Sequence, residues 1–358
     1  MTGIHQFVPT FEPGAVGAHM LHVRRVVREM GLDSEIFAEH RRWPGLTDVE
    51  EYRRYGRSFP AAPGDVLLYQ TAIGSVVADF VLDRPERLAV NYHNITPVRF
   101  LARWEPDVVH GVAWGRAQLA AMADRAVLGI ADSAFNEREL TALGYRRTTV
   151  APVLVDVAAF DRGVDRAAEA ALAGGRTAWL FVGRVAPNKA HHDLVKAFAA
   201  YRRAYDPDAV LRLVGPPSSA AYSEALRSFV DALGLTGAVE LTGPVSDAAL
   251  AAHYRAADVF VCVSDHEGFC VPLLEAMHHR LPIVAYASSA VPETLAGAGI
   301  VLASKAPTTV AAAVHRVVAD AGLRAALVAA GIRRLADFDL KVTTARMADA
   351  LAGLIGRP

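Results

Sequence analysis

The chain has 358 residues, of which 53% are apolar and 21% are charged, and its formal net charge is −1. This length and composition predict a globular protein with two domains of ordinary size, and they exclude a disordered chain. The nearly neutral balance also excludes a broad basic surface field, so we expect no nucleic-acid partner and expect local geometry to hold any anionic ligand.

The chain carries no signal that predicts secretion or membrane insertion. Residues 1–5 are not a basic region followed by an apolar stretch, and no apolar run reaches the roughly 18 residues of a membrane span. Cys262 and Cys270 form no CxxC pair, so we interpret them as reduced core thiols of a cytoplasmic protein. The amphipathic, arginine-bearing segment 18–30 leaves open peripheral contact with the inner face of a membrane; the alternative is the solvated face of an ordinary helix.

Short apolar runs alternate with helical stretches in the first half of the chain, which predicts a parallel sheet. The predicted strands are residues 4–9, 34–37, 66–69, 87–92, 126–131 and 148–152. A loop that contains Gly14 and Gly17 joins the first strand to a helix predicted from about residue 18. Such a loop either lets the backbone approach a ligand or simply starts the helix. The charged, proline-containing segment 39–63 is predicted to be irregular, with one short helix.

Polar residues follow the predicted strand 87–92 directly, in the order His93-Asn94-Ile95-Thr96-Pro97. In a parallel sheet this position is the carboxyl edge, where ligands bind. His93 is therefore a candidate site residue, and Asn94 and Thr96 are candidates for contact with a phosphate or an acceptor. The alternative is that His93 is a structural cap.

Residues 156–175 are polar and free of strand patterns, which predicts an interdomain linker. A second series of strands follows at residues 179–183, 210–214, 239–241, 259–263, 283–285 and 300–301. We therefore expect an α/β protein with two doubly wound, Rossmann-like domains that face a crevice. The expected limits are 1–165 for the first domain, 176–339 for the second and 340–358 for a C-terminal helix.

Two cationic residues follow the first strand of the second half, on the loop Gly183-Arg184-Val185-Ala186-Pro187-Asn188-Lys189. Arginine offers a fork to two phosphate oxygens and lysine offers a point charge, so Arg184 and Lys189 can together offset the charge of a diphosphate. A further turn, Gly243-Pro244-Val245, follows the strand 239–241 at the same edge of the sheet.

The stretch Glu267-Gly268-Phe269-Cys270-Val271-Pro272 follows an apolar strand and runs into a helix that carries Glu275. Pro272 suits the first turn of a helix, whose positive end attracts phosphate. Two carboxylates beside an anion site are suited to accept hydrogen bonds from hydroxyl groups, so the pattern favours a ligand that has both phosphates and hydroxyls, such as a nucleotide sugar. The alternative is a solvated helix start with an acidic first turn.

The spacing Glu267-x7-Glu275, with Gly268-Phe269 after the first Glu and Pro272 before the second, resembles the signature of retaining glycosyltransferases of family 4, which have the GT-B fold. The resemblance implies that Glu267 meets the donor sugar and Glu275 the nucleotide ribose. It implies that Arg184 and Lys189 bind the donor diphosphate, and that the backbone of residues 243–245 holds the base. Residues 268–271, including Cys270 and Val271, would complete the donor site.

The resemblance also bears on the first half of the chain. It implies that His93 lies near the donor sugar and is a catalytic residue, together with Glu267, Arg184 and Lys189. The family's first glycine loop usually carries adjacent glycines and binds donor phosphate or acceptor, whereas Ala15 and Val16 separate Gly14 from Gly17 here. The family further implies that the last helix, residues 340–355, crosses back to the first domain.

We therefore expect a retaining glycosyltransferase that transfers a sugar from a nucleotide-sugar donor to a hydroxyl of a carbohydrate, lipid-linked or small-molecule acceptor, in glycan, cell-envelope or glycoconjugate synthesis. Asp206-Pro207-Asp208 matches a metal-binding Asp-x-Asp pattern, but it precedes a strand and so lies at the amino edge of the sheet. We interpret it as a turn and expect no metal and no cofactor. The alternatives are a non-catalytic nucleotide-sugar-binding partner subunit and a GT-B nucleotide-sugar epimerase, which would need no acceptor.

Overall fold

The structure, a computed structural model, describes residues 2–43, 45–161 and 163–354. The chain divides into two compact units. Unit 1 consists of Met1–Val98, Asp107–Val155 and Phe338–Pro358, and unit 2 consists of Arg99–Pro106 and Asp156–Asp337. The division thus lies ten residues before the predicted limit at 165, and one short segment of the first half belongs to unit 2.

Each unit contains one parallel sheet. The strands of unit 1 are β1 (Ile4–Phe11), β2 (Ile36–Arg41), β3 (Glu50–Glu51), β4 (Val66–Thr71), β5 (Arg87–Tyr92), β6 (Ala126–Ala131) and β7 (Thr148–Val150). Those of unit 2 are β8 (Ala178–Val182), β9 (Val210–Val214), β10 (Val239–Gly243), β11 (Val259–Cys262), β12 (Ile283–Tyr286) and β13 (Ile300–Leu302). The strand orders are β3-β2-β1-β4-β5-β6-β7 and β10-β9-β8-β11-β12-β13. The prediction of two doubly wound parallel sheets is confirmed.

Helices alternate with these strands. In chain order they are α1 (Ala15–Glu29), α2 (Val76–Leu82), α3 (Val98–Leu101), α4 (Pro106–Met122), α5 (Ala134–Ala142), α6 (Arg166–Leu172), α7 (His191–Ala204), α8 (Ala220–Ala232), α9 (Asp247–Arg255), α10 (Val271–His278), α11 (Val291–Leu295), α12 (Pro307–Ala319), α13 (Ala321–Leu335) and α14 (Leu340–Ala352). Within the described residues, no helix is both long and apolar enough to cross a bilayer.

Helix α1 begins three residues before the predicted start, so Gly17 lies in its first turn and not in the loop. A Cβ atom at Gly17 would lie 2.1 Å from the backbone oxygen of Glu12, which means that the first turn packs directly on the preceding loop. This close approach accounts for a glycine inside a helix, where it is otherwise unfavourable.

The predicted linker 156–175 contains helix α6 and is part of unit 2. The Asp165 carboxylate caps α6 by accepting a hydrogen bond of 2.9 Å from the Ala168 N–H. Glu169 then forms an ion pair of 3.1 Å with Arg255 on α9. The polar composition that predicted a linker instead reflects the solvated side of a short, packed helix.

Helix α14 contributes to the core of unit 1. Met347, Leu351 and Leu354 are fully buried against residues of α1 and the first sheet, among them Val23. The predicted helix extended to Ile355, which lies with residues 356–358 outside the described residues. The described part of this helix shows that the last segment of the chain packs on elements at its beginning.

The strand order of each sheet reverses beside its first strand. In unit 2 the chain proceeds from β8 to β9 on one side and places β11 on the other. The loops that leave β8 and β11 therefore diverge and open a crevice at the carboxyl edge, as parallel sheets do at such a switch point. Residues 183–190 and 263–270 form these two loops, and Lys189 and Glu267, 78 positions apart, meet between them.

Candidate functional site

The loops that follow β8 and β11 in unit 2 are hydrogen-bonded to one another. The Asp265 N–H donates to the Asn188 carbonyl oxygen at 2.8 Å, and Asn188 Nδ2 donates to the His266 carbonyl oxygen at 3.2 Å. Asn188 is itself buried. These bonds hold the two predicted binding loops side by side.

Lys189 and Glu267 meet where the two loops touch, with Lys189 Nζ 2.7 Å from Glu267 Oε2. Their side chains are 22% and 7% exposed, so Glu267 is buried and the lysine side chain is partly exposed. Burial opposes the charged form of Lys189, but the neighbouring Glu267 carboxylate outweighs it and raises the pKa of the lysine above its usual range. The Glu267 N–H donates to Ser289 Oγ at 3.2 Å, which fixes the loop that presents the carboxylate.

Arg184 lies on the same loop as Lys189 but in different surroundings. Its side chain is exposed and has no hydrogen-bond or ion-pair partner among the described residues. Gly183 before it has φ of +149°, and a Cβ on the neighbouring Gly215 would lie 2.2 Å from the Gly183 oxygen. The two glycines thus allow the backbones of residues 183 and 215 to pack closely beside Arg184.

Helix α10 starts directly after Glu267-Gly268-Phe269-Cys270. Cys270 has φ of +73° and turns the chain into Val271, the first helical residue. Phe269 is buried, and its carbonyl oxygen accepts a hydrogen bond of 2.7 Å from Thr294 Oγ1. Phe269 thus anchors the loop, and the loop directs the positive end of α10 toward the crevice.

Glu275 lies in the second turn of α10, where Tyr254 of α9 donates a hydrogen bond of 2.6 Å to its Oε2. Burial raises the pKa of Glu275 above its ordinary value of 4.5, while the Tyr254 hydrogen bond opposes the rise. Burial also raises the pKa of Tyr254, so the hydroxyl remains a donor. Tyr254 was not a candidate from the sequence, because no pattern links it to a residue 21 positions away.

The two other stretches of unit 2 that the sequence singled out lie at opposite edges. Gly243, with φ of +72°, ends β10 at the carboxyl edge and is followed by exposed Pro244 and half-buried Val245. Asp206 and Asp208 precede β9 at the amino edge, and the Asp208 N–H donates to Asp206 Oδ1 at 3.0 Å. Residues 206–208 therefore form a local turn, in which the Asp206 carboxylate already accepts a backbone hydrogen bond.

His93 of unit 1 is enclosed by polar groups that the sequence did not identify. Its Nδ1 lies 2.8 Å from Asp132 Oδ2, and its Nε2 lies 2.7 Å from Gln70 Oε1. The side chain is only 2% exposed. Both ring nitrogens therefore have partners within unit 1.

A chain of amides fixes the orientation of the Gln70 partner. Gln6 Nε2 donates to the Met20 carbonyl oxygen at 2.9 Å, and Gln70 Nε2 donates to Gln6 Oε1 at 2.8 Å. Reversing either amide would place two acceptor oxygens against each other, so Gln70 presents an oxygen to His93. An oxygen only accepts, and Nε2 of His93 consequently carries a hydrogen.

The remaining candidates of unit 1 have structural partners or surroundings. Asn94 has φ of +76°, and its Nδ2 donates to Asn136 Oδ1 at 2.9 Å. Thr96 is half-buried beyond it. Gly14, with φ of +140°, precedes α1 and has open space around the position of a Cβ, whereas Gly17 packs on the loop as described above.

The structure also assembles a group that the sequence did not predict. Ligand atoms of Cys262, Glu267 and Cys270 all lie within 4.8 Å of one another. The sequence suggested two unrelated core thiols, because a spacing of eight residues is not a usual metal or redox motif. Cys262 ends β11 and Cys270 precedes α10, so the loop between them folds back and brings both thiols beside Glu267.

The part of the chain that matches a known protein family lies within unit 2. Residues 166–334 match the family described as Glycosyl transferases group 1. A D-inositol 3-phosphate glycosyltransferase of Geodermatophilus obscurus is 36% identical over 230 residues, which are 62% of this chain and 50% of that protein. The chain thus spans about half the length of this curated relative.

Two solved structures share the whole fold. The sucrose-phosphate synthase of Thermosynechococcus elongatus has a TM-score of 0.76 at 18% identity, over 98% of this chain and 99% of that one. Anabaena Alr3699/HepE in complex with UDP-glucose has a TM-score of 0.73 at 16% identity, again over 98% and 99%. At these identities the likeness establishes the fold, which is GT-B.

Proposed function

We propose that this protein is a retaining glycosyltransferase of the family 4 type, which transfers a sugar from a nucleotide-sugar donor to an acceptor hydroxyl. The observation that carries the proposal is the Lys189–Glu267 pair of 2.7 Å at the switch point of unit 2, together with Arg184 on the same loop, which has no partner among the described residues. The matched family, described as glycosyl transferases, covers all three residues.

The pair suits the junction of a nucleotide sugar. A donor carries negative charge on its diphosphate and hydroxyl groups on its sugar, and the two parts meet at one glycosidic oxygen. Lys189 and Glu267 are hydrogen-bonded to each other. They therefore place a cation and a hydrogen-bond acceptor close enough together to meet both parts of the donor. We assign the diphosphate to Lys189, Arg184 and the start of α10, and the sugar hydroxyls to Glu267.

Glu275 would hold the ribose, since its carboxylate lies in the turn of α10 behind the proposed phosphate position. Arg184 and Lys189 would stabilise the charge that develops on the departing nucleoside diphosphate, which is an interaction stronger in the transition state than in the bound donor. The leaving phosphate can take the acceptor proton, so the acceptor would attack on the face that the diphosphate leaves.

The role of His93 is a separate proposal. With a hydrogen on Nε2 fixed by Gln70 and with Asp132 at Nδ1, the ring is positioned and not mobile. We keep the family's assignment of His93 to the donor sugar, with Gln70 and Asp132 as positioning residues.

The name of the Geodermatophilus obscurus relative suggests the acceptor to test first. It is a D-inositol 3-phosphate glycosyltransferase, so a phosphorylated cyclic polyol is the first acceptor class for this chain. The donor screen begins with UDP-sugars, because the Anabaena structure holds UDP-glucose. We expect transfer without added metal, which an assay in the presence of a chelator checks.

The deciding experiment incubates the protein with α-linked nucleotide sugars, with and without inositol phosphates, and records the products by NMR. We expect an α-linked product only when acceptor is present. A β-linked product would exclude retention, and conversion of the donor to an isomeric nucleotide sugar without acceptor would favour the epimerase alternative. Absence of both turnover and slow donor hydrolysis, with donor binding intact, would favour the non-catalytic subunit.

A further inference from the structure

The cluster of Cys262, Cys270 and Glu267 has a chemistry that glycosyl transfer does not use. Two sulfur atoms and one carboxylate form a donor set that soft or borderline divalent cations prefer. In a tetrahedral zinc site with bonds of about 2.3 Å to sulfur, two sulfurs lie about 3.8 Å apart. The ligand atoms here all lie within 4.8 Å of one another, which is already close to the spacing of such a site.

The surroundings of the cluster support its use as ligands. Cys270 lies directly before the first residue of α10, and its sulfur lies beside Glu267 and Cys262. Cys262 Sγ lies 3.4 Å from Ser264 Oγ, a hydroxyl that can orient it. Glu267 Oε2 is bonded to Lys189, which fixes the carboxylate in place.

The charges also balance. Two thiolates and the Glu267 carboxylate carry three negative charges, and a divalent cation with the Lys189 ammonium carries three positive charges. Binding would release the two thiol protons to solvent. Without Lys189 the loaded cluster would keep one buried negative charge, which is costly away from water.

We propose that Cys262, Cys270 and Glu267 form a site for a thiophilic divalent cation such as Zn²⁺, with a water molecule in the fourth position. The cation is not a cofactor of the reaction. Because it takes Glu267, it competes with the donor sugar, a consequence that rests on the proposed function. Cation binding itself does not depend on that function.

The test uses the full chain without an affinity tag, freshly reduced and then freed of reductant, and titrates it with Co²⁺. Thiolate ligands give Co²⁺ an intense near-ultraviolet charge-transfer band that histidine and carboxylate ligands do not give. The chain has only two cysteines, so this band reports on the proposed site alone. We expect one equivalent of Co²⁺ to produce the band and Zn²⁺ to abolish it by displacement.

Three variants and a control locate the site. Cys262→Ala and Cys270→Ala should each lose most of the band, and Glu267→Gln should keep it but weaken Co²⁺ affinity by about tenfold or more. The control Asp265→Asn changes a carboxylate of the same loop that pairs with Lys305 instead, and should bind Co²⁺ as the wild type does. Circular dichroism checks that each variant is folded.

A second readout is independent of cobalt. Zn²⁺ should protect the half-buried Cys270 from alkylation in the folded wild type, and not in Glu267→Gln at the same concentration. A wild-type protein that shows no charge-transfer band and no protection at millimolar cation would overturn the proposal. Failure of Zn²⁺ to inhibit transfer despite confirmed binding would instead count against the donor-site role of Glu267.

Discussion

Arg184 and Lys189 carry the same charge on one loop, but only Lys189 is also part of the folded structure. Replacing Arg184 by Ala should leave the free energy of unfolding within about 0.5 kcal/mol of the wild type, because its side chain is exposed and unpaired among the described residues. Turnover should fall by about 10²–10³, the usual cost of one lost contact to a developing anion. Steady-state kinetics and denaturant titration measure the two effects separately.

Lys189→Ala should reduce turnover to a similar extent and should also destabilise the protein. It leaves the Glu267 carboxylate, 7% exposed, without its cation, which costs on the order of 1–3 kcal/mol. The double variant Lys189→Ala/Glu267→Ala should recover part of that stability, since no unpaired charge remains buried. Wild-type turnover in Arg184→Ala, or wild-type stability in Lys189→Ala, would contradict this division of roles.

Glu275 should make nucleotide binding depend on pH. Burial raises its pKa above the ordinary value of 4.5, so the carboxylate takes up a proton as the pH falls through the raised value. A protonated carboxyl is a poorer acceptor for ribose hydroxyls, and the affinity for a nucleoside diphosphate should therefore decrease toward acidic pH. Calorimetry of the wild type at several pH values measures this decrease.

The matched control for this prediction is Glu275→Gln, which cannot titrate. The diphosphate itself also binds protons, so the informative quantity is the difference between the two pH profiles. We expect the variant to bind more weakly near neutral pH and to lose the part of the pH dependence that belongs to Glu275. Parallel profiles would show that Glu275 does not contact the nucleotide.

At the scale of an element, α14 is the part of the chain whose stability contribution is most directly testable. Leu351 is fully buried in the core of unit 1, whereas Val342 on the same helix is exposed. Leu351→Ala should lower the free energy of unfolding by about 2–5 kcal/mol through lost burial and a residual cavity. Val342→Ala should change it little, and equal effects in denaturant titrations would mean that α14 does not pack as described.

Helix α10 shows how one short element serves several tasks. Cys270 directly precedes its first turn, its second turn carries Glu275, and Leu273, Leu274 and Met277 are buried. The buried residues hold the helix in position, so the positions of its polar residues do not depend on contacts in the crevice. A site built on such an anchored element loses little conformational entropy when a ligand binds.

For the molecule as a whole, buried histidines should make stability depend on pH. Burial lowers the pKa of His191 from 6.5 to about 3 and that of His19 to about 4. Because the unfolded chain binds protons more readily than the folded one, this stability is complete above pH 6.5 and is lost as the pH falls toward the folded values. Between pH 7 and pH 5, each of these two histidines should lower the free energy of unfolding by about 2 kcal/mol.

His191→Gln removes one of these contributions, so its loss of stability between pH 7 and pH 5 should be smaller than that of the wild type by about 2 kcal/mol. His40 is exposed, and His40→Gln should follow the wild-type curve. Denaturant titrations at both pH values test this directly. An unchanged pH dependence in His191→Gln would show that His191 is charged, or solvated, in the folded state.

Sequence patterns alone predicted most of the elements, because apolar periodicity and helix-starting residues are local properties of the chain. Strands β8 and β11 precede Arg184 and Glu267, and their predicted ends lie within one residue of the observed ends. The directional rule for parallel sheets then placed both loops at the carboxyl edge. One exception is α1, where Gly17 was assigned to the loop, because only the Glu12 backbone that packs on it explains a glycine in this helix.

Contacts between distant residues were decided by the tertiary structure. The Lys189–Glu267 bond joins residues 78 positions apart, and it exists because β8 and β11 are neighbours, an order that periodicity does not encode. The amides that orient His93 and the meeting of Cys262 with Cys270 depend in the same way on strand order and loop path. Local physics thus determined which groups reach the carboxyl edge of each sheet, and only the packing of the strands decided which of those groups touch.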